Sequence, residues 1–240
     1  MKTFKEFLTE ATEEQKVTTR NGKIVPKDTK ELKKLVRLKS TNLADIDVSH
    51  LEDLTYVFRN SRRRDFSGIE TWDVSNVKSM RGMFAGCPYF TGKEIENWDV
   101  SRLSNARGMF FECENFDADL SNWKFRNIFI IDLMFEGCTN FTGKGLERWN
   151  VSTARYMERT FVRCKNFTGK SVERWDVSEA EQMQEMFAGC TKFNADLSRW
   201  NLQKVEWCAG IFDRTDIKNI PSNFLKKFKE QGLNSRGNPE

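Results

Sequence analysis

Apolar side chains recur along this chain at fixed intervals, and the interval sets the architecture. Tryptophan stands at Trp72, Trp98, Trp123, Trp149, Trp175 and Trp200, separated by 26, 25, 26, 26 and 25 residues. In the same register run Phe84, Phe110, Phe135, Phe161, Phe187 and Phe212. Three residues after the first five come Cys87, Cys113, Cys138, Cys164 and Cys190, and three further on Phe90, Phe116, Phe141, Phe167 and Phe193. A unit of this length cannot bury both of its sides alone, so such a period means stacked copies. Ile46-Asp47-Val48-Ser49 and Phe58 hold the matching places 26 residues before Trp72 and Phe84. They add a degenerate first copy, for about seven in all.

Within one copy, Val77, Met80, Phe84 and Cys87 are spaced by 3, 4 and 3 residues, which predicts one face of a short helix with Ser75 as its N-cap. Ser178 and Glu181 fit a capping box in a later copy. The stretch holding Phe90, Ile95 and Trp98 around a Thr-Gly or Ala-Asp bend predicts a turn and one brief strand. The expected class is therefore α/β: a solenoid of about seven 25–26-residue strand-turn-helix coils, with parallel strands about 4.8 Å apart and helical caps at both ends. Asp28 and Glu31, with Leu32, Leu35, Val36 and Lys39 on one side, predict the first cap, and Pro221 to Gln231, with Phe224, Leu225 and Phe228, the second. Asn21-Gly22 between alternating residues predicts a hairpin before the first cap. The organisation expected is a separate segment 1–10, hairpin and capping helix 11–42, repeats 43–215, and a capping helix with tail 216–240.

Composition narrows the chemistry. Charged residues make up 31% and apolar ones 38%, which suits a thin fold with a narrow core. A net charge of +4 from 39 basic and 35 acidic side chains is too mild to make nucleic acid the default partner. No run of about 18 apolar residues occurs, so no membrane partner is expected. The six cysteines include no Cys-x-x-Cys pair and His50 is the only histidine, which leaves the zinc-ligand spacings unfilled. One cysteine per coil reads as a small buried apolar residue, the tryptophans read as a core ladder, and His50 as a residue that satisfies a loop. Neither a metal nor a cofactor is expected. Gly169-Lys170-Ser171 lacks the first glycine of a phosphate-binding loop, because Cys164 stands there. Without a Ser-His-Asp order, HExxH or GxGxxG, no catalytic residue is assigned and the chain is not expected to be an enzyme.

Polar positions that recur without a packing need are the candidate partner-binding residues. Lys93, Lys144 and Lys170 follow Thr-Gly, and Arg148, Arg174 and Arg199 precede tryptophan, so stacking is expected to align both sets into basic rows. Glu96, Glu147 and Glu173 lie beside them. Arg59, Arg62, Arg63 and Arg64 form the densest basic cluster, where the first copy breaks the pattern.

Phe193–Trp200, reading Phe-Asn-Ala-Asp-Leu-Ser-Arg-Trp, and Trp72–Val77, reading Trp-Asp-Val-Ser-Asn-Val and followed by Met83-Phe84, resemble the 26-residue repeats of BspA-like, leucine-rich-repeat-related surface proteins. The resemblance covers about residues 43–215 and implies a leucine-rich-repeat-like solenoid used for protein or surface binding. Trp123-Lys124-Phe125 and Trp200-Asn201-Leu202 depart from its Trp-Asp-Val signature. The first ten residues, Met-Lys-Thr-Phe-Lys-Glu-Phe-Leu-Thr-Glu, resemble the capsid-targeting sequences of internal head proteins of T-even-type tailed phages. In that family a prohead protease cuts after Leu-x-Glu or Ile-x-Glu, here Leu8-Thr9-Glu10 before Ala11.

These resemblances imply a monomeric, non-enzymatic protein-binding module carried in the virion, inside the phage head, and delivered with the DNA into the host cytoplasm. There it binds or inhibits a host protein of defence or takeover. The alternative is a structural or DNA-associated head component, with its basic rows against packaged DNA. Processing carries its own test: the N-terminal peptide of virion-derived protein should begin at Ala11, and a Glu10 variant that the protease rejects should stay full length. A virion peptide that still begins at Met1 contradicts the targeting reading.

Overall fold

A chain that must return above itself every 25 or 26 residues has to turn often, and the backbone does so with tight turns instead of helices and strands. The computed structural model describes residues 18–38 and 40–239. Seven residues spaced like the repeat, Asp53, Ser79, Asn105, Ile130, Tyr156, Gln182 and Trp207, pair in parallel one to the next, each as a single bridge. From each bridge onward every second amide crosses to the following coil. Met80, Gly82, Phe84 and Gly86 donate to the carbonyls of Asn105, Arg107, Met109 and Phe111 at 2.7–2.9 Å. The amides between them close three-residue turns, as Met83 N–H to Met80 O and Cys87 N–H to Phe84 O do.

This corrects the expected α/β solenoid of strand-turn-helix coils: among the described residues the repeats hold no α-helix and no strand longer than one bridge. An α-helix needs right-handed dihedrals throughout, whereas Gly82 and Gly86 have φ of 56° and 70°. Each turn brings the chain back to the same inner side, so apolar residues at spacings of 3 and 4 face the core without a helix. The expected helix cap is also replaced: Asp73, Asp99 and Asp176 accept the amides of Ser75, Ser101 and Ser178 in short side-chain-closed turns. Where a strand was expected between Phe90 and Trp98, a single 3-10 turn, Lys93–Ile95, follows left-handed Gly92.

The interior is a set of ladders running along the stack. Phe84, Phe110, Phe135, Phe161, Phe187 and Phe212 lie with successive ring centroids 5.5–6.2 Å apart and nearly parallel. Each of the six buried indole N–H groups reaches a carbonyl of the coil before, from Trp72 to Leu43 O at 2.8 Å through Trp123 to Ile95 O at 2.9 Å to Trp200 at Val172 O. The cysteine thiols do likewise, as Cys113 donates to Phe84 O and Cys138 to Phe110 O at 3.0 Å. Burial pushes the Cys87 thiol up to about 12 and the Cys208 thiol to about 11.

The ends are closed by different means. Strands β1 (Thr18–Arg20) and β2 (Lys23–Val25) form an antiparallel hairpin around Asn21-Gly22, and Ile24 pairs with Ile46 of the first coil. Helix α1 (Thr29–Arg37) is capped by Asp28, which accepts the Glu31 amide, and buries Leu32, Leu35 and Val36. His50 Nε2 lies 2.8 Å from Pro26 O beneath it. Helix α2 (Ser222–Glu230) buries Phe224 and Phe228 against Phe212.

Two measurements check these ladders. Trp123→Phe should lower unfolding free energy by about 2 kcal/mol, from the lost indole hydrogen bond and part of its buried volume, read as a lower denaturant midpoint with an unchanged slope. At pH 8.5 the six buried, free thiols should resist iodoacetamide in native protein and all react once denaturant opens the stack.

Candidate functional site

Every coil carries two left-handed residues four apart, and stacking sets them in two rows on one face. The first row is Tyr56, Gly82, Gly108, Leu133, Arg159, Glu185 and Gly210, the second Asn60, Gly86, Glu112, Gly137, Arg163, Gly189 and Arg214, with φ between 52° and 79°. A residue with a Cβ is held there at a cost of about 1 kcal/mol, so a side chain in these rows invites an explanation.

In the C-terminal half the explanation is an ion-pair ladder. Glu136, only 2% exposed, accepts Arg159 Nε and Nη2 at 2.9 and 2.8 Å and lies 3.4 Å from Arg163 Nη1. Arg159 also reaches Glu185, and Arg163 reaches Glu112. The hydrogen bond to Glu136 raises the Arg159 pKa further above its ordinary range. Asp132, also buried, accepts Arg107 Nη1 at 2.8 Å and the Glu158 amide at 3.0 Å, and burial pushes its carboxyl upward.

The N-terminal half is different, because glycines floor a groove there. A cavity of about 300 Å³ lies over Gly82, Gly86 and Gly108, walled by Tyr56, Phe111 and Leu133. A Cβ on Gly82 would stand 2.3 Å from Tyr56 Cε1 and one on Gly86 2.3 Å from Asn60 Oδ1, so the glycines let those two side chains lie down across the next coil. The guanidinium groups of Arg59 and Arg81 sit 4.8 and 5.6 Å from the Tyr56 ring centroid, and Lys33 Nζ 5.9 Å. Each is within cation–π reach. Arg107 stands at the same groove, tied to Asp132.

An adjoining cavity of about 850 Å³ gathers Arg59, Arg62, Arg63 and Arg64 with Arg37 of α1. Their roles separate there. Arg63 donates through Nη2 to Leu38 O and Thr41 O, both at 3.3 Å, which ties the end of α1 to the first coil. Arg59, Arg62 and Arg64 are exposed, Arg59 over the Tyr56 ring and Arg64 4.3 Å over the Tyr89 ring.

The expected lysine row is broken. Asp119 stands at repeat spacing between Lys93 and Lys144, with its carboxylate 2.8 Å from Lys144 Nζ, and Asp196 follows Lys170 in the same register. The Lys144 hydrogen bond holds the Asp119 carboxyl down at about 2. Arg148, Arg174 and Arg199 do occupy exposed, repeat-spaced places on consecutive coils, but Arg174 and Arg199 border a cleft that also holds Glu173 and Asp176. Neither row joins the Arg59 cluster. Leu8, Glu10 and Ala11 lie outside the described residues.

Tyr56, Arg81 and Arg107 escape a reading based on helical spacing. Their signal is the repeated Arg-Gly-Met-Phe at 81–84 and 107–110, with Tyr56 in the place of its glycine. Among the described residues no helix is long and apolar enough to cross a membrane.

The family model described as "Mycoplasma protein of unknown function, DUF285" matches residues 30–145 and again 131–229. The match is compatible with the BspA-like repeat resemblance. No curated protein matches the chain.

The two kinds of arginine can be told apart by stability. Arg63→Ala should cost about 1–3 kcal/mol, chiefly by leaving the carbonyl of buried Thr41 unpaired, and lower Tm, while Arg62→Ala should leave Tm within about 1 °C.

Proposed function

We propose a protein-binding role for this chain, which belongs to the DUF285 family of repeat proteins. It is a non-enzymatic module that engages its partner with the basic N-terminal half of the face of left-handed turns. The observation that carries this reading is the groove over Gly82 and Gly108 next to the Arg59–Arg64 cavity, where concavity, aromatic surface and exposed guanidinium groups coincide. Tyrosine and arginine are the residue types that concentrate binding energy at protein interfaces. The core ladders occupy the six buried tryptophans and the buried cysteines, whose polar atoms are already bonded, as those of Trp123 and Cys138 are to neighbouring coils.

The setting proposed is the one its N-terminus suggests: an internal head protein of a tailed phage, cut by the prohead protease after Glu10, injected with the DNA, and bound in the host cytoplasm to a defence or takeover target. The basic cluster also supports a second reading, contact with packaged DNA, whose affinity would fall steeply with salt.

Affinity capture from host lysate separates the two. Wild-type protein should retain a stoichiometric host protein that Arg59→Glu with Arg62→Glu loses, at salt where DNA no longer binds. Retention of nucleic acid alone, abolished by the same pair of substitutions, would favour the head-DNA reading and remove this one.

A further inference from the structure

We infer that the groove over Gly82 and Gly108 takes a short, extended acidic peptide segment of the partner protein, gripped by Arg59 and Arg81. The inference rests on the protein-binding reading and names the chemistry of that site.

Arg59 and Arg81 converge on the ring of Tyr56 at 4.8 and 5.6 Å, and neither has a carboxylate partner among the described residues. Arginines elsewhere on this face have one: Arg107 holds Asp132, Arg159 holds Glu136, and Arg163 holds Glu112. Two like charges brought over one half-buried ring repel each other, and a shared anion relieves that repulsion. A guanidinium over a ring keeps its N–H edge free, and that planar fork matches a carboxylate.

The length of the basic stretch selects the ligand. From Tyr56 to Gly108 it spans two steps between coils, about 10 Å at about 4.8 Å per step. An extended peptide rises about 3.4 Å per residue and sends alternate side chains to one side, so three or four residues cover the stretch with carboxylates at i and i+2. Past Gly108 the guanidinium groups of the face are already paired, Arg159 with Glu136 and Arg163 with Glu112, and Glu112 itself closes the groove. A nucleic acid strand, charged at every residue, would run on past the free guanidinium groups onto paired ones, whereas a peptide can end its acidic run and continue neutral or basic. Gly108, where an added Cβ would meet Phe111 Cβ at 3.7 Å, leaves open the close approach that an extended backbone needs.

Fluorescence anisotropy with labelled hexaglutamate, hexaglutamine and a six-residue thymidylate oligonucleotide tests this on the full chain at about 50 mM salt. Hexaglutamate should bind and hexaglutamine should not. Arg59→Glu with Arg81→Glu should weaken hexaglutamate binding at least about tenfold, and Arg148→Glu with Arg174→Glu should leave it unchanged. If the double reversal lowers Tm, Arg59→Gln with Arg81→Gln supplies the same comparison with a smaller loss. Unchanged affinity in both groove variants overturns the inference, as does the absence of any hexaglutamate binding or an oligonucleotide that binds as tightly as hexaglutamate. A host protein still captured by the Arg59→Glu, Arg81→Glu variant would leave protein binding intact and place it on another face.

Discussion

The structure depends on one constraint: every second amide after each bridge must find a carbonyl one coil away, while the amides between them close turns within the coil. Buried backbone groups left unpaired cost as much as a lost hydrogen bond, so the coil adopts whatever dihedrals meet both demands. Left-handed residues four apart in each coil, as at Gly82 and Gly86, help it do so. They also point the intervening side chains inward, and thus the amide pattern and the phenylalanine, tryptophan and cysteine ladders are consequences of the same backbone path. Where an indole N–H or a thiol reaches across to the preceding coil, the side chain strengthens the joint that the backbone has already made.

That path explains why the sequence was legible in one respect and misleading in another. The period, read from Trp72 to Trp200, gives the stacking register directly, since the bridged residues fall at the same 25- and 26-residue steps. The conformation of a coil was misread, because Val77, Met80, Phe84 and Cys87 satisfy a helix and a chain of turns equally well. Gly82 and Gly86, four apart inside the presumed helix, were the contrary signal: glycine costs a helix interior about 1 kcal/mol at each position, and one repeated in register reports a backbone that is not helical. Serine at Ser75 and Ser178 misled in the same way, since its amide is bound by the aspartate two residues earlier and its hydroxyl opens no helix.

The candidate site was legible only in part for a related reason. Arg59 to Arg64 stand out as a run of charge, and they do gather around one cavity. Which of them face outward follows from three-dimensional neighbours that no spacing encodes, as the carbonyls of Leu38 and Thr41 that hold Arg63 illustrate. The lysine row shows the converse: residues picked out because they are alike conceal the aspartate that occupies the same register in the copy between them.

Strain distinguishes the two halves of the turn face. Gly82, Gly108 and Gly210 show that glycine fits the first row, so Tyr56, Leu133, Arg159 and Glu185 hold left-handed dihedrals at a cost that something must offset. For Arg159 and Glu185 the offset is visible in the ion pairs that clasp neighbouring coils around the buried Glu136. Tyr56 and Leu133 make no ion pair, and both wall the groove. Tyr56 buries one flank of its ring on Gly82 and offers the rest beneath two guanidinium groups that the stack does not otherwise use. Strained residues whose side chains shape a cavity are where a scaffold most often serves recognition instead of its own stability, and in this chain they coincide with the part of the face where the arginines are left unpaired.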